Sequence, residues 1–149
     1  MLACGGLHIE VLDEGENWNE TAYVELIEDK FDTWAGNCEF LVCDHERILR
    51  GKGAVHALSK TCLKLLEGYP RVSQDFNAIE NCWKIVKDRL DETMPIHLEM
   101  RDAFVHRLQE TVKWVNKNRS KQLWHLSTNQ KERADECLSQ KPPGGRTSF

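Results

Sequence analysis

At Gly68-Tyr69-Pro70 the hydrophobic period of the sequence changes, and this change limits the fold more than any other feature. Before it, apolar residues come in short runs bounded by turn formers. After it, they recur at helical spacing over long stretches. Proline has no backbone N–H and pushes the residue before it out of the helical region, so a regular element cannot easily run through such a break. Strands with interleaved helices, followed by helices alone, predict an α/β layer with a helical C-terminal cover.

The individual elements follow from local pattern. Leu7 to Leu12 alternates apolar and polar residues and reads as a half-buried strand, and Asp13-Glu14-Gly15 is a turn. Tyr23, Val24, Ile27, Phe31 and Trp34 form a helical stripe, with Asn19 as N-cap and Gly36-Asn37 as the stop. Phe40-Leu41-Val42-Cys43 is short and wholly apolar, which predicts a strand covered on both faces. Ala54, Val55, Leu58 and Cys62 predict a second helix, and Leu63-Lys64-Leu65-Leu66 either continues it or forms another strand. Beyond Pro70, the stripe Ile79, Cys82, Trp83, Val86 and Leu90 predicts a helix that Pro95 terminates. Phe104, Leu108, Val112 and Val115 predict a longer one over about Leu98 to Asn118. Leu123, Trp124 and Leu126 form an anchoring apolar cluster, and a short helix from about Asn129 to Leu138 precedes an extended tail.

Composition narrows the class. The 149 residues, 40% hydrophobic and 30% charged, suit one globular domain or a large piece of one. No apolar run approaches the length of a membrane helix, and the first residues do not form a secretory signal, so an intracellular location is expected. The six cysteines show no C-x-x-C pair. Cys62 and Cys82 lie in apolar patterns and read as small buried hydrophobes. Charge is uneven: residues 1–83 carry 15 acidic and 7 basic side chains, a net of −8, whereas residues 84–149 carry 9 acidic and 13 basic, a net of +4. An acidic half followed by a basic one suits a metal-dependent nuclease-type domain, though charge alone favours an ordinary, unevenly charged solvated surface.

Two features carry chemistry. Asp44 directly follows the strand at Phe40–Cys43, and ligands in α/β sheets bind beyond the carboxyl ends of strands. Aspartate is also a common strand-ending turn residue. The second feature is Ser73-Gln74-Asp75-Phe76-Asn77-Ala78-Ile79-Glu80-Asn81-Cys82-Trp83. Asn77 can cap a helix whose first turn holds Glu80, an arrangement that a capping box and the helix dipole would also favour.

The pattern Ser-x-Asp-x-Asn-x-Ile-Glu-Asn-x-Trp resembles the signature of the Tc/mariner superfamily of DDE transposases. The resemblance implies that Glu80 is the third catalytic carboxylate and Asp44 the second, with 35 residues between them, close to the family's spacing. It extends toward Gly144-Gly145-Arg146-Thr147 and so covers most of the chain. The implied fold is ribonuclease-H-like, N-terminally truncated, with residues 1–126 a partial catalytic domain and 127–149 a short helix and tail. The implied cofactor is Mg²⁺ or Mn²⁺ held by Asp44 and Glu80, since hard divalent ions take oxygen donors. The implied partner is transposon-end DNA; no membrane partner is expected, a homodimer is left open, and the expected location is nuclear if the protein functions in a eukaryote and otherwise intracellular. Lys84, Lys87 and Arg89 follow Glu80 and are candidates for DNA phosphates, or else one solvated helix face.

The sequence departs from the family in several places. The first catalytic aspartate has no counterpart, because only 43 residues precede Asp44, and Glu10 and Asp13 read as a strand's exposed side and a turn. The helix-turn-helix region is absent. His45 stands where asparagine is usual, and Ala78 where proline is usual. Gly51-Lys52-Gly53 lacks the spacing of a phosphate-binding loop and reads as a turn before a helix. His56, His97, His106 and His125 have no metal-ligand spacing, and Asp75 reads as fixing the loop before Glu80. Two functions from different classes result: a transposase-derived protein with an ancestral DNA-cleaving and joining activity, inactive as it stands, or a non-catalytic DNA- or protein-binding module of the same descent.

Overall fold

Asn19 starts the first helix from an extended conformation, at φ −139° and ψ 177°, and its side chain accepts from the Ala22 N–H at 3.0 Å. That is the N-cap its position predicts. In this computed structural model the described residues are 1–3, 6–42, 48–65 and 78–129, without the side chain of Leu49. Helix α1 (Glu20–Leu26) passes into a wider π turn over Ile27–Phe31 and then into α2 (Asp32–Ala35). Gly36 ends it at φ 56°, a backbone angle that suits glycine because it lacks a Cβ.

Four strands are present among the described residues, each two residues long. Strands β1 (Leu2–Ala3) and β2 (Gly6–Leu7) pair antiparallel, Leu2 against Leu7 and Ala3 against Gly6. Strands β3 (Phe40–Leu41) and β4 (Lys64–Leu65) pair parallel, Phe40 against Lys64 and Leu41 against Leu65. Between β3 and β4 lie a 3₁₀ turn at Ile48–Arg50 and helix α3 (Lys52–Leu58), so this part is a small βαβ unit. Helices α4 (Ala78–Glu92), α5 (Arg101–Asn118) and α6 (Ser120–Thr128) follow. Helix α6 runs through residue 126, where the sequence placed a boundary.

The buried side chains form two clusters. One joins Ile27, Phe31 and Ala35 to Ala54, Ala57, Leu58 and Leu63. The other joins Leu7 to Cys82, Val86, Val112, Val115 and Leu123. The N-terminal hairpin bridges them, because Met1 packs on the first cluster and Leu2 on the second. His8 adds a stacked contact to Trp34, with ring centroids 5.2 Å apart. Each fully buried large aliphatic side chain contributes about 1.5–3 kcal/mol by leaving water.

Several expectations need correction. The strand expected over Leu7–Leu12 is Gly6–Leu7, because the partner β1 has only two residues. The strand at Phe40 is not covered on both faces: Leu41 packs on the first cluster, whereas Phe40, pointing to the other face, is 55% exposed. Of the two alternatives left open for Leu63–Leu66, the structure takes the strand, at Lys64–Leu65. Cys62 is therefore out of helical phase and exposed; its N–H donates to Asp32 Oδ1 at 3.0 Å. Cys82 is buried, as expected. Helix α5 begins at Arg101, three residues after Leu98, and Phe104 is exposed near its start. Trp124 is also exposed, because α6 turns its neighbour Leu123 to the core and the next residue lies about 100° further round. Asn129 ends α6, and Cys43, the rest of the helix expected from Asn129 to Leu138 and the tail lie outside the described residues.

Candidate functional site

Helix α4 positions Glu80. The residues Ala78, Cys82 and Val86, spaced four apart, are buried on one side of the helix, and Cys82 and Val86 fix it to the second core cluster. Glu80 sits in the first turn and is exposed. With about 100° per residue, Glu80, Lys84, Lys87 and Asp91 fall on one face, opposite the buried side. All four are exposed, so the face alternates carboxylate, two ammonium groups and carboxylate. Trp83, which its spacing put on the core stripe, is 37% exposed, because it lies at the flank of the buried residues.

Arg89 lies on the other side of α4 from Lys84 and Lys87 and is taken up by protein groups. Its Nη1 bonds Glu92 Oε2 at 2.7 Å, and its guanidinium lies 4.3 Å from the Trp114 ring centroid. Arg119 approaches the same ring at 5.8 Å. The three candidate DNA contacts therefore do not form one surface: Lys84 and Lys87 share the outward face, and Arg89 does not. The Arg89–Trp114–Arg119 group was not singled out from the sequence. Its signal is weak, because Trp114 and Arg119 stand 25 and 30 residues beyond Arg89.

Asp44 lies outside the described residues, as do His45, Asp75 and Asn77, so its distance from Glu80 is not part of the description. Among the described residues, no three His, Cys, Asp or Glu side chains gather as a metal-binding group. Glu80 is a solvent-facing oxygen donor with no ion pair among the described residues, and in that respect it fits a hard divalent cation. Asp13 and Glu16 form a turn, with the Glu16 N–H bonded to the Asp13 carbonyl at 3.2 Å and Gly15 at φ 86°. Glu10 lines a groove of about 530 Å³ with Leu12, Trp18, Glu25 and Asp29.

The Gly51-Lys52-Gly53 segment has a definite role. The Gly53 N–H donates to Glu20 Oε1 at 2.8 Å, so a carboxylate from α1 occupies the N-terminal end of α3. A Cβ added at Gly51 would stand 2.6 Å from that oxygen, and one at Gly53 2.8 Å from it. These glycines let a side chain approach a helix end, and the site is filled by the protein itself.

The cysteine environments differ. Burial pushes the Cys82 thiol up to about 11, only partly offset by the nearby N-terminal ammonium. The Cys62 thiol is also raised, chiefly by its hydrogen bond to Asp32. Neither group is set up as a nucleophile, which needs a stabilised thiolate. No protein-family model, curated protein or solved structure matches this chain. No helix among the described residues is long and apolar enough to cross a membrane.

Proposed function

We propose that this chain derives from the catalytic domain of a Tc/mariner-type DDE transposase with a ribonuclease-H-like fold, and that Asp44 and Glu80 are two of its metal ligands. The observation that carries the reading is the eleven-residue pattern from Ser73 to Trp83, which puts Glu80 at the start of a helix. The exposure of Glu80 in the first turn of α4 supports it, since a ligand carboxylate must stay accessible. Bound Mg²⁺ or Mn²⁺ would supply charge stabilisation at the attacking and leaving oxygens of a phosphoryl displacement. The chain's part is to hold its carboxylates in place, with α4 anchored through Cys82 and Val86. With two of the family's three carboxylates, the 149 residues alone are proposed to lack DNA-cleaving and joining activity.

The test is Mn²⁺ binding, followed by the paramagnetic signal of the free ion, for the wild type, Asp44→Asn and Glu80→Gln. The expected result is one binding event that either substitution weakens by about 10-fold or more. Binding that is unaffected by both substitutions, or no binding by the wild type, overturns the metal-ligand assignment. Magnesium-dependent DNA cleavage that Glu80→Gln abolishes would overturn the proposed inactivity.

A second reading is a non-catalytic DNA-binding module, favoured by the exposed pair Lys84 and Lys87 in the basic half. It is separated from the first by salt-dependent DNA binding that persists in Asp44→Ala and Glu80→Ala and is lost in Lys84→Ala with Lys87→Ala.

A further inference from the structure

We infer that the connection between α4 and α5, with the start of α5, is a self-association surface on which a second copy of this chain packs about a two-fold axis. Residues 94–100 read Met-Pro-Ile-His-Leu-Glu-Met, apolar at each even position. These apolar residues face solvent: Met94 is 74% exposed, Ile96 97%, Leu98 98% and Met100 76%, and Phe104, one helical turn after Met100, is 41% exposed. Of the residues between them, Pro95 and His97 are exposed too, and Glu99 is the shielded one, paired with Arg107 from α5. An ordinary surface segment has the reverse arrangement, with its polar side chains outward.

The connection is held in place rather than loosely draped. Arg107 grips both oxygens of Glu99, with Nε at 3.0 Å from Oε1 and Nη2 at 2.6 Å from Oε2, and its Nη1 reaches the Leu90 carbonyl at 3.0 Å. The Thr93 hydroxyl adds a bond to the Arg89 carbonyl at 3.0 Å. A surface ordered before contact loses less conformational freedom on association.

Area and symmetry together favour a second copy. The five apolar side chains expose on the order of 600 Å², at the top of what a monomer usually leaves open and near the roughly 800 Å² each partner gives to a stable interface. The apolar pattern also reads alike from either end around His97. A two-fold axis there sets Met94 against Met100 and Ile96 against Leu98, so apolar side chains meet apolar ones throughout, as a self-complementary contact requires. A lipid surface is the poorer occupant. The flanking charges Asp91, Glu92, Asp102 and Arg101 are mostly acidic, and membrane-seated segments carry a basic rim.

The test is sedimentation velocity of the full chain over a concentration series, with far-UV circular dichroism as a check on folding. The wild type is expected to be a dimer in the micromolar range. Ile96→Asp and Leu98→Asp, each at a nearly fully exposed position, are expected to weaken dimerisation by about 100-fold with unchanged helicity. A wild type that remains monomeric at about 100 μM, or a dimer that survives both substitutions, overturns the inference. So does binding of the wild type to phosphatidylserine vesicles that Leu98→Asp abolishes, which would assign the patch to lipid. Neither Asp44 nor Glu80 enters this experiment, so its failure is distinct from failure of the metal-ligand reading.

Discussion

Asn116 treats Leu7 as a neighbouring strand would. Its Oδ1 accepts from the Leu7 N–H at 2.8 Å, and its Nδ2 donates to the Leu7 carbonyl at 2.9 Å. One side-chain amide on α5 therefore satisfies both backbone groups of a β2 residue that is 109 positions away. The contact holds the hairpin against the helices at the point where Leu7 enters the second core cluster. A partly buried backbone pair needs such partners, because an unmet N–H or C=O there costs its full desolvation penalty.

Asn116→Leu is expected to destabilise the protein by about 1–3 kcal/mol, since it strands both Leu7 groups without changing side-chain size much. Urea unfolding followed by tryptophan fluorescence measures this. A loss no larger than that of an exposed substitution on α5, such as Lys117→Ala, would show that the amide bridge contributes nothing.

Leu123 and Trp124 are adjacent and should respond oppositely to their sizes. Leu123 is fully buried, and Leu123→Ala is expected to cost about 2–5 kcal/mol through lost burial and a cavity. Trp124→Ala removes a larger side chain that is 55% exposed and is expected to cost less. The reverse order in denaturant midpoints would contradict the assigned face of α6.

The Glu20 contact predicts a cap-like effect at a distance. Glu20→Ala should remove the Gly53 N–H partner and destabilise α3 by about 1 kcal/mol. Gly53→Ala should cost less than Glu20→Ala, because its new Cβ displaces only the flexible end of that carboxylate while alanine regains up to about 1 kcal/mol of helix propensity. If the two substitutions act through one contact, their combined effect in a double-mutant cycle is smaller than the sum.

Cys82 predicts the alkaline limb of stability. Its thiol is raised from 9.0 to about 11 by burial, so the folded state favours the protonated form. That contribution is fully present below pH 9 and is lost as pH rises from 9 to about 11, by up to roughly 2–3 kcal/mol. Cys82→Ala should flatten this part of the curve. The native protein should also leave Cys82 unalkylated at pH 8 while unfolded protein reacts, which peptide mass mapping checks.

The acid limb involves Glu99. Its hydrogen bonds from Arg107 hold its carboxyl below the usual 4.5, so its contribution is present above that value and is lost as pH falls through the lower folded pKa. Melting temperatures recorded below pH 4.5 should fall less steeply in Glu99→Gln than in the wild type. Parallel curves for the two proteins would show that this pair carries no linkage.

Local chemistry explains which expectations held. Asn19, Gly36 and the stripe through Cys82 and Val86 were legible because capping, positive φ and helical period are set by neighbours in the chain. The exposed Phe40, Cys62, Trp83 and Trp124 were not, because apolar character says that burial is favourable but not whether a second layer is there. For the candidate site, the resemblance to the transposase signature implied Glu80, and position along the same helix added Lys84, Lys87 and Arg89. Only helix phase and the Trp114 ring separated Arg89 from the two lysines.

The helices through Ile27, Ala54, Cys82 and Val112, the Asn19 cap, the Gly36 stop and the motif around Glu80 were thus legible in the sequence itself, since each depends on residues within a few positions of one another. Helix α6, in contrast, was read only as an apolar cluster. The bridge from Asn116 to Leu7, the seating of Glu20 on α3 and the outward apolar row at Met94–Met100 were decided only by tertiary structure. Such contacts join residues that are distant in the chain or depend on which neighbour fails to arrive, and no local period encodes either.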